Sequence, residues 1–422
     1  MDSNSHFDVV VIGAGIGGLT SAAFGARAGA RCLLLDSATS LGGRARTRDE
    51  SGYKLNLGAH ALYLAGAAKR TLHDLQIEPD GAAPSLDGCL VMRNGAAHAA
   101  PAGFGGPPSS TAMSVAEQAA FSAAMQAVME GFAGQAGETI GAAICRLTDN
   151  PAAQAMLHTL IRLTSFTNAP DHADATAMLE QLRLSTGGVS YLHNGWGEMC
   201  GLLAERVREA GAHIEVGESV SHLEAFNSNW IVHCASGARI VARTVVLAVE
   251  PKEAYRLVPN VSILKRTAES AIPIHAACFD VGLSQLPIAA HGFALGLDAP
   301  LYFSVHTRVA SLAPAGAALV HLTRYLRPEE RPTKAVKEEL ASLMDLLQPG
   351  WRDYLVADQW LPFATVTQDL PQAARGGLAG RCPVVLGQGL YAAGDWVGVE
   401  GLLSDAAFAS GALAGQSAAR ET

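Results

Sequence analysis

The stretch VVVIGAGIGG, residues 9–18, is an apolar, β-branched run that breaks into glycines. Such a run reads as a strand buried on both faces of a parallel sheet. Gly13, Gly15 and Gly18 stand at GxGxxG spacing, the alanine-rich LTSAAFGARAGA that follows reads as a helix, and a second apolar strand, RCLLLD, ends in Asp36. Glycines so spaced let the turn close, let backbone approach a diphosphate and let the helix pack on the strand, while the free amides at the helix N-terminus face the anion. The expectation is a dinucleotide held at its diphosphate by Gly13, Gly15, Ile16, Gly17 and Gly18, and at a ribose by Asp36 and Ser37. Residues 9–26 are uncharged and about as long as a membrane span, but their five glycines favour strand, turn and helix.

Residues 40–48, SLGGRARTR, narrow the choice of dinucleotide. Gly42, Gly43 and Arg44 directly follow the second strand, and with Thr47 they bring a cation and a hydroxyl toward the same diphosphate; Arg48 reads as solvated. Extra clamps suit a cofactor that stays bound rather than one released at each turnover. Near the other end, LYAAGDWVGVEGLLSDAAFASGALAGQSAA, residues 390–419, runs from a short strand through Gly394 and Asp395 to Gly401 and a helix of small residues. An acid after a strand can bind ribityl hydroxyls, and a helix N-terminus at Leu402 and Leu403 can stabilise negative charge on a reduced isoalloxazine. The three motifs together describe one extended FAD.

At these residues the sequence resembles the FAD-dependent phytoene desaturase and amine oxidase superfamily, within it the phytoene desaturase-like branch. GAGIGG, Asp36 and GGRART look like that family's N-terminal signature, and AGDWVGVEGLLSDAAFASG like its C-terminal one. YLHNGWGEMCGLLAERVREAGAHIEVGESVSHLE looks like its internal unit, with Val220 where a valine backbone faces adenine, and residues 301–326 resemble a substrate-domain hairpin. Ser40, Asn56 and Trp196 depart from the usual pattern, in which an arginine, an acid and a smaller or unbranched residue stand there. The resemblance implies an α/β chain with a discontinuous Rossmann-like FAD-binding domain at 1–85, 190–255 and 376–422. A mixed-sheet and helical substrate domain then takes 86–189 and 256–375.

Composition agrees with two packed domains: of 422 residues, 49% are hydrophobic and 16% charged. A net charge of -9 argues against nucleic acid and against anionic membrane as partners. Seven scattered cysteines with no CxxC pair read as core residues in a reducing cytosol, and no metal site is expected. The N-terminus lacks a basic n-region, so the expected location is cytoplasmic with membrane contact peripheral at most; no feature assigns an oligomeric state.

Residues 96–112, rich in Gly and Pro, read as a loop and boundary. Ser114 and Glu117 form a capping box for a helix whose Phe121, Met125, Val128, Met129 and Phe132 share one face, as pocket lining or as core. Pro151 opens another helix, Thr333 precedes a third, ARTVVLAVEP reads as a strand with a proline stop, and PIHAACFDV and ALVHLTRYL read as strands of a mixed sheet.

No HExxH, P-loop or GxSxG occurs, so the expected chemistry is hydride abstraction by the flavin, giving C=C or C=N. Amine oxidases typically carry an aromatic cage residue in the C-terminal loop, where this chain has Val399 and Glu400; Trp396 could supply one wall. That favours a hydrophobic substrate such as a polyene or terpenoid over an amine. His60 in NLGAHALYL either relays a proton or is held by backbone partners, whereas His193, His275, His306 and His321 read as structural only. The same fold occurs in escort proteins of prenylated GTPases, which hold a lipid without chemistry but lack flavin contacts; Asp36, Arg44 and Asp395 are all present here.

Overall fold

The computed structural model describes residues 6–101 and 110–422. The strand His6–Ile12 pairs in parallel with Cys32–Asp36 on one side and with Arg239–Leu247 on the other. His213–Val216 extends the sheet beyond Cys32–Asp36, and Leu390–Ala392 lies parallel to the second half of Arg239–Leu247. An antiparallel ribbon, Val220–Phe226 with Asn229–Cys234, pairs with the first half of that strand. One eight-stranded sheet therefore collects strands from near the start, the middle and near the end of the chain. Val9, Val10, Val11, Leu33, Leu34, Val245, Val246 and Leu247 are all fully buried, as strands covered on both faces require.

The helix Ile16–Arg27 packs on this sheet and against the helix Leu403–Arg420. Their small residues make this crossing possible: a methyl group at Gly411 would lie 2.6 Å from the carbonyl oxygen of Gly17, and one at Gly415 would overlap that of Ser21. Helix Trp196–Glu209 also packs against Ile16–Arg27.

A seven-stranded, mostly antiparallel sheet forms the second layer system, with Ile274–Leu283 between Leu355–Thr367 and Ala318–Tyr325. Helix Lys334–Leu347 covers one face, burying Val336, Leu340, Leu343, Met344 and Leu347 as the helical period predicts. An apolar cluster from helices Val115–Met129, Ile140–Leu147, Pro151–Ser165 and Ala175–Ser185 joins Tyr302 and Tyr325 of the sheet and reaches Ala59, Leu402 and Leu403.

The capping box at Ser114 and Glu117 forms, and Pro151 is the first residue of its helix. Three expectations need correction. Ala96–Ala99 is a strand paired with Leu90–Arg93 rather than loop, and residues 102–109 of the expected boundary lie outside the described residues. Met129 is exposed, because it ends its helix beyond the buried stripe of Phe121, Ala124 and Val128. Pro251 does not stop structure but opens the helix Pro251–Leu257, where its missing N–H costs nothing.

Candidate active site

The glycine turn is built as its spacing demands. Gly13 adopts φ +105°, and a methyl group at Gly18 would overlap the carbonyl oxygen of Gly13, so strand and helix meet only through glycine. Gly17 packs against Gly394, joining the turn to the C-terminal loop. Gly15 differs: a methyl group built there meets nothing within 4 Å. The turn's open side is therefore at Gly15, next to Ile16, the first residue of the helix. Gly42 and Gly43 have φ +97° and +54°, and a backbone bridge joins Gly42 to Gly15, so the two glycine turns stand face to face.

Beside the first turn lies a cleft of about 330 Å³ whose lining includes Gly13, Asp36, Ser37, Val220, Glu250 and Arg256. Asp36 accepts from the Ala14 amide at 2.5 Å and the Ala38 amide at 2.7 Å, which fixes its carboxylate at the mouth of the turn. The Val220 carbonyl accepts from Arg256 Nη2 at 3.0 Å.

Arg44 Nη1 donates to Asp395 Oδ2 at 2.7 Å and to the Val366 carbonyl at 2.8 Å. Asp395 is buried, and among the described residues its Oδ1 has no hydrogen-bond partner. Arg381, which sequence reasoning missed, is buried nearby; Nη1 donates to the Gly401 carbonyl at 2.9 Å, while Nε and Nη2 have no partner among the described residues. Burial lowers its pKa to about 10, against the pull of Asp395 and Asp369. A carboxylate oxygen and two guanidinium nitrogens buried without partners are costly unless a polar ligand meets them.

Leu402 caps the helix Leu403–Arg420 and is buried, Leu403 has φ +54°, and Gly401 has φ +71° with Asp405 packed against it. The loop's side chains face elsewhere: Val399 is 68% exposed, and Glu400 pairs with Arg70 at the surface. Trp396 is buried in the core around the eight-stranded sheet, its indole N–H donating to the Val249 carbonyl at 3.0 Å, so it presents no wall to a substrate. Thr47 is likewise not aimed at a diphosphate. Its hydroxyl bonds Asn56 Oδ1 at 2.6 Å and accepts from the Gly197 amide at 2.8 Å, fastening the glycine loop to the helix at Trp196. Arg48 pairs with Glu50 at the surface.

His60 Nδ1 lies 2.8 Å from the Gly58 carbonyl, so that nitrogen carries the proton and Nε2 keeps its lone pair. Its ring sits 5.1 Å from that of Trp196. Burial lowers its pKa, opposed by the Gly58 bond, which leaves the imidazole neutral at neutral pH. Among the histidines read as structural, His193 accepts from the Ser311 amide and His275 stacks on Phe363. His306 and His321 instead join Asp280, Tyr191 and Tyr302 in a buried polar cluster. The signal lay in the strands CFDVG and LVHLT, where a lone polar residue among apolar ones must find a partner across the sheet.

The NAD(P)-binding Rossmann-like domain family matches residues 11–75. Over nearly their full lengths, the chain superposes on an oxidoreductase from Methanosarcina mazei (TM-score 0.75, 17% identity, 96% of this chain and 99% of that one). It also superposes on cyclohexylamine oxidase from Brevibacterium oxydans (TM-score 0.70, 16% identity, 98% of each). The chain shares the fold of these two proteins. One of the polypeptides of limonene dehydrogenase from Castellaniella defragrans is 38% identical over 100 residues, 23% of this chain; the match spans 18% of that polypeptide's length. In this chain the Gly15–Gly42 bridge and the Arg44–Asp395 pair link the cleft at Asp36 to the C-terminal loop that leads to the helix start at Leu403. The residues fit an FAD, with unpartnered Asp395 Oδ1 and Arg381 N–H groups as the polar atoms most in need of it.

Proposed function

We propose that the protein is an FAD-dependent dehydrogenase that removes hydride from a hydrophobic small molecule, such as a polyene or terpenoid, to form a C=C bond. Bound FAD supplies the hydride acceptor. Gly13, Gly15, Ile16, Gly17 and Gly18 offer backbone to the diphosphate, with Gly42, Gly43 and Arg44 opposite. Asp36, Ser37 and Val220 hold the adenosine end, and Gly394 and Asp395 the ribityl hydroxyls. The helix start at Gly401, Leu402 and Leu403 favours negative charge at the ring. His60 takes the substrate's proton at its free Nε2.

The observation that carries the choice of substrate is the apolar helical cluster, which comes up to Ala59, Leu402 and Leu403 while the loop between Asp395 and Gly401 turns its side chains away. No aromatic from that loop is left to cage a nitrogen. The partial likeness to the limonene dehydrogenase polypeptide points the same way. The whole-chain likeness to cyclohexylamine oxidase favours a second reading, amine oxidation to C=N. We further propose a cytoplasmic location with membrane contact peripheral at most, because seven free thiols suit a reducing compartment.

The test is anaerobic mixing of the purified yellow protein with terpenoid, polyene and amine panels, following loss of flavin absorbance near ~450 nm. Bleaching by terpenoids or polyenes supports the first reading, and bleaching by amines alone replaces it with the second. Colourless protein that binds no added FAD overturns both in favour of a lipid-holding escort.

A further inference from the structure

Beneath the segment that carries His60 lies a chain of buried polar groups. Asp280 and His321 stand opposite each other on the paired strands Ile274–Leu283 and Ala318–Tyr325, with Oδ1 and Nδ1 2.6 Å apart and both side chains 0% exposed. An imidazole whose Nδ1 faces a carboxylate at this distance carries its proton there, so a neutral His321 has a lone pair at Nε2; that atom has no partner among the described residues. The other oxygen of Asp280 accepts from Gln359 Nε2 at 2.9 Å, and the same nitrogen reaches the Asn56 carbonyl at 2.6 Å. Two residues on, Gly58 lies so close to the strand that a methyl group there would be 3.0 Å from Cys278 Sγ. Gly58 in turn accepts from His60. The backbone that positions His60 is thus bound to the strands that hold Asp280 and His321.

Stability does not explain the arrangement. Burying a carboxylate against a neutral imidazole costs desolvation that an apolar pair of the same volume would not incur. The surroundings are specific as well: the His306 ring lies 4.2 Å from that of His321, stacks at 3.7 Å on Tyr191, and has Nε2 3.2 Å from the Tyr302 hydroxyl. Among the described residues, the charged or titratable groups around His60 include Asp280, His321, His306, Arg44 and, under Gly58, the Cys278 thiol. Of these only Asp280 is a carboxylic acid, so besides the Gly58 bond it is the group that favours a cationic His60.

We propose that the Asp280–His321 pair is the buried counter-charge for His60 during catalysis. This rests on the reading of His60 as the proton acceptor. Bound FAD would accept hydride from one substrate carbon; His60 Nε2 would take the proton from the neighbouring carbon, and the two electrons of that second C–H bond would become the new π bond. His321 keeps its Nδ1–H on Asp280 throughout, and the carboxylate of Asp280 is the charge that the cationic His60 meets. Neither touches the substrate; both are positioning residues.

The test needs no substrate. The protein as purified, labelled with 15N at histidine, is titrated by ring 1H–15N spectroscopy, with His60→Gln used for assignment. In the wild type, His60 and His321 are expected as Nδ1–H tautomers near neutral pH. In Asp280→Asn, an isosteric change, the acid dissociation constant of His60 should rise about tenfold, one unit of pKa. His321→Gln keeps the Asp280 charge and should leave His60 no more acidic than in the wild type. A His60 titration unchanged in Asp280→Asn overturns the proposal. So does a wild-type spectrum showing His321 cationic or protonated at Nε2, which decides the matter even if the variant does not fold. The flavin-bleaching assay reports separately on the reading of the reaction.

Discussion

Asp395 and Arg44 lie 351 residues apart in the chain and meet at 2.7 Å, the carboxylate buried and the guanidinium half-exposed. The pair closes the C-terminal loop onto the second glycine turn. Arg44→Met leaves a buried carboxylate without its cation and should cost about 1–3 kcal/mol of stability. Asp395→Asn should cost less. Both should lower FAD retention at least ~tenfold, equivalent to about 1.4 kcal/mol of binding; urea unfolding and the flavin-to-protein absorbance ratio measure the two effects.

Gly15 and Gly18 separate ligand binding from folding. Gly15 has φ −74° and open space where a methyl group would go, whereas at Gly18 that methyl group would collide with backbone. Gly15→Ala should leave the melting temperature of the flavin-free protein within about 2 °C of the wild type while weakening FAD binding. Gly18→Ala should reduce soluble, folded protein itself. Equal behaviour of the two variants would contradict this division.

Asp405 predicts a pH dependence of stability. Burial raises its carboxyl from the ordinary 3.8 to about 6, partly offset by the bond from the Ala68 amide. The unfolded chain then releases its proton first as pH rises, so this group's contribution is complete below about pH 4, falls up to about pH 6 and is level above, by about 2–3 kcal/mol in all. Asp405→Asn keeps an acceptor for Ala68 and should gain on the wild type across that window. Urea midpoints of the two proteins at pH 4.5 and 7 test it, and a constant difference between them would refute the assignment.

All seven cysteines are free thiols, and only Cys145 is exposed. Burial pushes the thiols of Cys32, Cys89, Cys200, Cys278 and Cys382 up to about 12, which suppresses the reactive thiolate. A thiol-reactive chromophore should titrate one group quickly in the native protein and all seven in denaturant.

The parts legible in the sequence are those encoded locally. A β-branched run, a glycine turn and an alanine-rich helix specify one another within residues 6–36, and Val336 to Leu347 mark their buried face by period alone. Thr47 and Trp396 mislead because a hydroxyl or an indole beside a phosphate motif looks functional until its actual partners, Asn56 and the Val249 carbonyl, are known. Asp280 and His321 escape notice for the opposite reason. Each is a single polar residue in an apolar strand, and only the register of two strands joined by a long connection shows that they face each other.

The sheet collected from three distant stretches also sets an order of events on the ribosome. His6–Ile12 and Arg239–Leu247 are synthesised long before Leu390–Ala392 and the helix Leu403–Arg420 that packs on Ile16–Arg27. The nascent chain must keep those greasy surfaces from wrong partners until its last segments emerge, so chaperone supply during synthesis should govern the yield of active protein.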